Sequence, residues 1–469
     1  MSPPASPVCE KGRGRPPFFR TCPISKRQRR PKMEKEKARE LLKNWKGQNY
    51  AFGVGVLEKV GEFASKFGGR TMLVANGSRW LAPWLEEVVR SIGDRGVEYI
   101  GPVRGSRPNT PKDDVYRIAL AISKTKPEVV VAVGGGSVID AVKAASVLAR
   151  YGPSEIELYF GTGEVTRASE GKSVIPVIAV QTASGSGAHL TKYSNVTDPA
   201  TGIKKLIADQ AITPPAAVFD YRVTISAPKD LTLDGALDGI AHCWEVFTGA
   251  TGKCYYEEVE EIARIGIGLI VGNLLKAVED PDDLDARVAL GLGTDLGGYA
   301  IMISKLNPDT GRVESAGTGA GHLGSYQLTH YLAHGRACAV LNPYYTVLFA
   351  EAIEEQNRVV GGIFQREGFI ESSVDLGRIG GRRLAEIVAG GMIAFSKAIG
   401  FPTTLEEAGV PPEQVNVMVE AAKDPQVRIK LQNMPVPIDV EDVDAFIRPT
   451  LQAAYTGNMS LIPEPRRPA

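Results

Sequence analysis

Two periodicities divide the chain. Between Tyr50 and Asp220, short apolar runs bounded by glycine, proline and asparagine alternate with stretches in which apolar residues return every three or four positions. The first pattern is that of buried strands and the second that of amphipathic helices. It predicts a strand just after Tyr50 and others over 71–75, 97–100, 129–133, 174–180 and 216–219, with helices over 113–124 and 137–150 among them. Strand and helix in alternation imply a parallel sheet covered on both faces. From Ser226 onward the pattern is helical almost throughout, as in DGALDGIAHCWEVF, EEVEEIARIGIGLIVGNLLKAV and DLDARVALGLGTDLGGYAIM. The expected architecture is therefore an α/β domain over 33–225, a Rossmann-like parallel sheet, followed by an all-α domain over 226–469.

Residues 1–32 differ from both. They hold seven prolines, nine Lys or Arg and a single acid, Glu10. Such a segment cannot bury enough apolar surface to offset its ordering entropy and reads as a disordered basic, Pro-rich extension. Met33, which opens the helical sequence MEKEKARELLKNW, is an alternative start for the chain.

Composition narrows the function. The 469 residues suit two domains with a cleft between them. The 54 basic and 54 acidic residues cancel, which favours a small-molecule ligand over nucleic acid or a membrane surface. No apolar run reaches the roughly 18 residues of a membrane span. Five cysteines without a CxxC pair argue against a disulfide framework and a thiolate zinc site, and a cytoplasmic location is expected.

The strand over 129–133 runs into Gly134-Gly135-Gly136-Ser137 and then a helix. Glycines let the main chain approach an anion, and the first-turn N–H groups and the helix dipole favour phosphate there. A second Gly/Ser turn, TASGSGAHLT over 182–191, also follows a strand, so two backbone cradles could serve one dinucleotide. An acid after an early strand often bonds the adenosine ribose, whereas a 2′-phosphate needs that acid absent. Asn76-Gly77-Ser78-Arg79 occupies that place, which favours NADP(H) over NAD(H).

Four of the five histidines lie in the helical half. Asp238 and His242 are four apart and share a helix face, with Asp234 and Glu245 close to it. His322, His330 and His334 fall within thirteen residues. On one unbroken helix His322 and His334 would stand roughly 18 Å apart, so either the helix breaks or the pair is His330 and His334; spacing leaves both open. One carboxylate with two or three imidazoles suits Fe²⁺, Zn²⁺ or Mn²⁺.

GGGSVIDAVKAA, TASGSGAHLT, LDGIAHCWE and HLGSYQLTHYLAHGRA occur in the order and approximate spacing of the iron-containing (group III) alcohol dehydrogenases, which the chain resembles from about Tyr50 onward. The resemblance implies a dehydroquinate synthase-like fold, a homodimer, NAD(P)(H), and a metal, usually iron and sometimes zinc. By position it implies the ligands Asp238, His242, His322 and His334, and cofactor contacts at Gly134, Gly135, Gly136, Ser137, Asp140, Thr182, Gly185, Gly187, Thr191 and Lys204 besides Asn76, Gly77 and Ser78. Tyr326 stands where the family often has a histidine four residues after the third ligand, and His330 is the expected substitute in catalysis. The expected activity is hydride transfer between NAD(P)(H) and an alcohol, aldehyde or ketone. The rivals are a glycerol or glycerol-1-phosphate dehydrogenase, a dehydroquinate synthase, and a non-catalytic nucleotide-binding protein.

Overall fold

The computed structural model describes residues 24–152 and 155–464. In chain order, the strands of the first half are β1 (Tyr50–Gly53), β2 (Arg70–Ala75), β3 (Glu98–Arg104), β4 (Val129–Gly134), β5 (Gly161–Thr162), β6 (Val177–Gln181), β7 (Tyr193–Thr197), β8 (Lys204–Ala208) and β9 (Ala216–Asp220). Six of them form a parallel sheet in the order β1-β9-β6-β4-β2-β3.

Side-chain parity explains its two covered faces. Met72, Val74, Val130 and Ala132 pack with the helices Lys112–Thr125 and Gly136–Tyr151 on one side. The alternate residues Leu73, Ala75, Val129, Val131 and Val133 pack with Lys59–Phe67 and Ala82–Gly93 on the other. Because the chain steps from β2 outward to β3 and then back across β2 to β4, the carboxyl ends of β2 and β4 flank a topological switch point, the usual place for a ligand in such sheets.

Three features depart from the expected plan. Residues 24–32, expected to be disordered, begin the helix Ile24–Lys46, and residues 1–23 of that segment lie outside the described residues. The helix docks Ala38 and Leu42 into the core of the helical half, although it precedes the sheet, because its i, i+4 apolar pair meets the helices Tyr256–Val271 and Leu284–Ala300. Next, β7 and β8 pair antiparallel and β5 joins β8, making a small second sheet around the turn at 198–203. Finally, the helical half is not wholly α: Ser304–Leu306 and Val313–Ser315 form a hairpin, closed by Asn307-Pro308-Asp309-Thr310-Gly311, a turn sequence in which Asn307 Oδ1 accepts from the Asp309 N–H at 2.9 Å.

After β9 the chain passes through a short 3₁₀ segment, Tyr221–Ser226, into the long helix Lys229–Gly249, which is packed by Tyr256–Val271, Leu284–Ala300 and His334–Leu348. Bare backbone joins this helix and Leu284–Ala300 to the α/β half. A Cβ on Gly235 would stand 1.8 Å from the Ser184 carbonyl oxygen, and one on Gly187 would stand 2.8 Å from Gly298 Cα. Gly77, by contrast, has open space around it. Gly235→Ala is expected to destabilise the protein by about 1–3 kcal/mol, the usual cost of overpacking, and Gly77→Ala by under about 0.5 kcal/mol. Denaturant unfolding of the two variants checks this contrast.

Candidate metal centre and nucleotide cleft

Helix Lys229–Gly249 presents Asp238, His242 and Glu245 at i, i+4 and i+7, a single stripe that is buried along with most of the helix. His322 lies on the short helix Ala320–Ser325. The chain then turns over 326–333, through bonds such as Leu328 N–H to the Ser325 carbonyl and Tyr331 N–H to the Leu328 carbonyl, and the next helix begins at His334. That break removes the separation a continuous helix would impose.

As a result, three imidazoles surround one carboxylate oxygen. The Nε2 atoms of His322 and His334 each lie 3.6 Å from Asp238 Oδ1, and His242 Nε2 lies 3.8 Å from it. The His242 and His322 rings stack at 4.8 Å, and His334 meets His322 edge-on at 5.0 Å. Asp238 Oδ1 and His322 Nε2 are buried and make no hydrogen bond. Buried polar atoms without partners are rare and costly, and here they point at a common centre. Burial pushes the His322 and His334 imidazoles well below their ordinary pKa, so they are neutral at physiological pH, as metal ligands must be. The residues fit a divalent cation.

A second ring of groups fixes their orientation. Glu245 Oε1 lies 2.8 Å from His322 Nδ1, which turns Nε2 toward Asp238, and Glu245 Oε2 accepts the Gly319 N–H at 3.0 Å. Ser325 Oγ lies 3.0 Å from His334 Nδ1. A carboxylate on the far nitrogen of a ligating imidazole is the recurrent support of such centres. A Cβ on Gly335 would stand 1.8 Å from the Asp234 carbonyl oxygen, so only glycine lets His334 come this close. Cys338, one turn beyond His334, brings its sulfur within 4.8 Å of one ligand atom each from Asp238, His322 and His334. The sequence reading missed it; the H-x3-C spacing on a helix was the available signal. Burial and the nearby Glu245 push its thiol well above its usual range.

His330 is not part of this arrangement. It is exposed and sits against Gly202 in the turn between β7 and β8, away from the cavity beside the imidazoles. The break that gathers His322 and His334 carries the intervening residues outward, so the catalytic role expected for His330 has no geometric support. Tyr326, buried and stacked 6.4 Å from His334, lines the cavity instead.

Two cavities meet at the centre. One, of about 280 Å³, runs from Asn109 along Gly135, Gly136 and Ser137, past Ser184, Gly185 and Ser186, to Asp238 and His334. Lys204 and Asp140 also line it. The other, of about 240 Å³, holds Thr191, Tyr193, Tyr326 and Lys430 together with Asp140, Asp238, His242, His322 and His334. Asp140 is held by the Asn195 N–H at 2.9 Å, and Lys143, which is buried, ties Ala188, Thr191 and Tyr193 together through their carbonyls at 2.5, 2.8 and 2.9 Å. Gly134, Thr182 and Gly187 shape the cradle from outside the cavity: the Thr182 N–H donates to the Gly134 carbonyl, and Gly187 packs on Gly298. Asn76, Gly77 and Ser78 follow β2 at the same end of the sheet but do not line the cavity; the Asn76 amide donates to the Ser106 carbonyl at 2.8 Å. Asn109 and Asn195 were not foreseen, since each is delivered by a loop or hairpin whose position depends on tertiary packing.

Comparison with known proteins agrees with this geometry. Residues 47–221 match the iron-containing alcohol dehydrogenase family, and residues 232–451 match the C-terminal region of that family. The chain belongs to the iron-containing alcohol dehydrogenases. Among relatives of this family, an NAD-dependent methanol dehydrogenase of Bacillus methanolicus is 26% identical over 85% of this chain and 97% of its own. An NADPH-dependent butanol dehydrogenase of Clostridium saccharobutylicum is 24% identical over 76% and 84%. The solved structure of an NADH-dependent butanol dehydrogenase from Thermotoga maritima superposes with a TM-score of 0.69 at 23% identity, covering 87% of this chain and 97% of that one.

Metal content discriminates the histidines. His322→Ala is expected to lose bound metal on elemental analysis while His330→Ala retains it. Glu245→Ala should weaken metal affinity by about 10–100-fold in a chelator competition, and unchanged affinity would remove Glu245 from the support of the centre.

Proposed function

We propose that this iron-containing alcohol dehydrogenase holds Fe²⁺ through Asp238, His242, His322 and His334, takes NADP(H) in preference to NAD(H), and interconverts an alcohol with its aldehyde or ketone. The observation that carries this reading is that Asp238 and His334 line both cavities, so a dinucleotide lying along Gly135–Ser137 and 184–186 ends beside the imidazoles.

When bound, a divalent cation supplies Lewis acidity to the substrate oxygen, and the nicotinamide supplies or accepts the hydride. The chain does the remaining work. Gly135 and Gly136 leave the first N–H groups of the helix Gly136–Tyr151 open toward a phosphate, with no acid in the first turn to compete. Lys204, buried and 3.4 Å from Asn109 Oδ1, adds a positive charge on the same wall. Glu245 and Ser325 hold two imidazoles in place so that their Nε2 atoms face Asp238. Apolar Ile301, Leu206 and Ala316 line the second cavity and exclude water from the reacting carbon.

The preference for NADP(H) rests on the residues after β2. Asn76 stands where a ribose-binding acid would be, its amide is committed to Ser106, and Arg79 is exposed three positions on. The relatives include enzymes named for each cofactor. Protein loaded anaerobically with Fe²⁺ is expected to reduce butanal faster than glycerol-type ketones or phosphorylated ketones, with kcat/KM at least about tenfold higher for NADPH than NADH, the worth of one charge-assisted contact. A rate that favours NADH overturns the cofactor assignment, and turnover confined to the phosphorylated ketone overturns the substrate class.

A further inference from the structure

The second cavity contains a charge that the centre does not use. Lys430, on the short helix Arg428–Gln432, is 9% exposed, and its ammonium faces the same space as His322 and Tyr326. It donates a hydrogen bond to Thr318 Oγ1 at 2.5 Å and passes 5.8 Å over the Tyr326 ring. Among the described residues no carboxylate lies within ion-pairing distance of it. Burying an unpaired ammonium is costly. Glu245 contributes a field that favours the charged form, but its oxygens are occupied by His322 and Gly319. Burial lowers the Lys430 pKa to about 8, which still leaves it mostly cationic at neutral pH.

The surroundings are shaped to leave that ammonium accessible from within. A Cβ on Gly317 would stand 2.4 Å from Asn433 Nδ2, so the glycine makes room for the amide, which donates to the Thr318 carbonyl at 3.1 Å and lines the same cavity. Among the described residues, two of the three ammonium N–H donors remain without a partner. One cation beside a hydroxyl and an amide matches a group with one negative charge and two acceptor oxygens, whereas a dianionic phosphate would call for more than one positive side chain.

We infer that Lys430, with Thr318 and Asn433, binds a carboxylate at the far end of the substrate, so that the preferred substrates are aldehydes or alcohols carrying a terminal carboxylate rather than simple alkyl alcohols. This deepens the dehydrogenase reading of the same cavity and rests on it. Lys430 acts as a specificity determinant and takes no part in the hydride transfer itself.

Butanal and 4-oxobutanoate have the same chain length and differ by the carboxylate. The metal-loaded wild type should show a kcat/KM ratio well above one in favour of 4-oxobutanoate. That ratio should fall by about 10–100-fold in Lys430→Met, the loss of one hydrogen bond to a charged group, and recover in part in Lys430→Arg. A wild-type ratio at or below one overturns the inference, and so does a ratio that Lys430→Met leaves in place, because Lys430 would then serve only to balance Glu245. If neither aldehyde is turned over, the dehydrogenase reading fails separately. Calorimetric titration of succinate into Zn²⁺-loaded wild type and Lys430→Met then decides the anion site: weaker binding to the variant by at least about tenfold supports it, and equal affinity removes it.

Discussion

One carboxylate oxygen organises the active half of this molecule. Asp238 Oδ1 is buried, accepts no hydrogen bond, and has imidazole nitrogens at 3.6, 3.6 and 3.8 Å. No interior would hold these groups together for stability alone, since Asp238 Oδ1 and His322 Nε2 give up solvation without gaining a hydrogen-bond partner. Several other features follow from the need to gather them. The chain must leave the helical path between Ser325 and His334, Gly335 must be bare for the next helix to reach Asp234, and Glu245 must be buried beneath His322 to fix its tautomer.

The α/β half was legible because burial on both faces of a sheet writes itself into alternate residues. Met72 and Val74 belong to one layer and Leu73 and Ala75 to the other, so the strand reads as a continuous apolar run ending in a turn. The β7–β8 hairpin was not read, since Tyr193–Thr197 and Lys204–Ala208 are polar at many positions and gain their stability from pairing with each other and packing under Gly136–Tyr151. The same limit hid Asn195, which reaches the cavity along Gly135–Ser137 through that hairpin. The first helix shows the converse: its sequence was recognised from Met33, but its membership of the helical half depends on contacts more than 200 residues away, such as the ion pair of Lys35 with Asp285.

The candidate metal centre was legible as a set of ligand-type residues rather than as a geometry. Asp238 and His242 declare themselves by i, i+4 spacing, whereas His322, His330 and His334 could not be ranked by spacing alone. Family resemblance points to His322 and His334, and the turn over 326–333 brings these two rings to Asp238 while it leaves His330 on the surface. Lys430 gave no signal at all: a lysine in VRIKLQ is an ordinary helix residue until packing encloses it.

The glycine contacts between the halves have a mechanical meaning. At Gly235 against Ser184, and at Gly187 against Gly298, main chain touches main chain without an intervening side chain that could change rotamer. The Gly/Ser turn over 182–191 and the helices bearing Asp238 and Gly298 are thus spaced by direct main-chain van der Waals contact, like beams bolted flush. The opposite wall of the cavity is joined differently, for there the Asn109 loop meets the β7–β8 hairpin through side-chain hydrogen bonds and an ion pair, such as Thr197 Oγ1 to the Asn109 carbonyl at 2.6 Å and Lys112 to Asp198 at 2.7 Å, so movement between the walls is expected on this side.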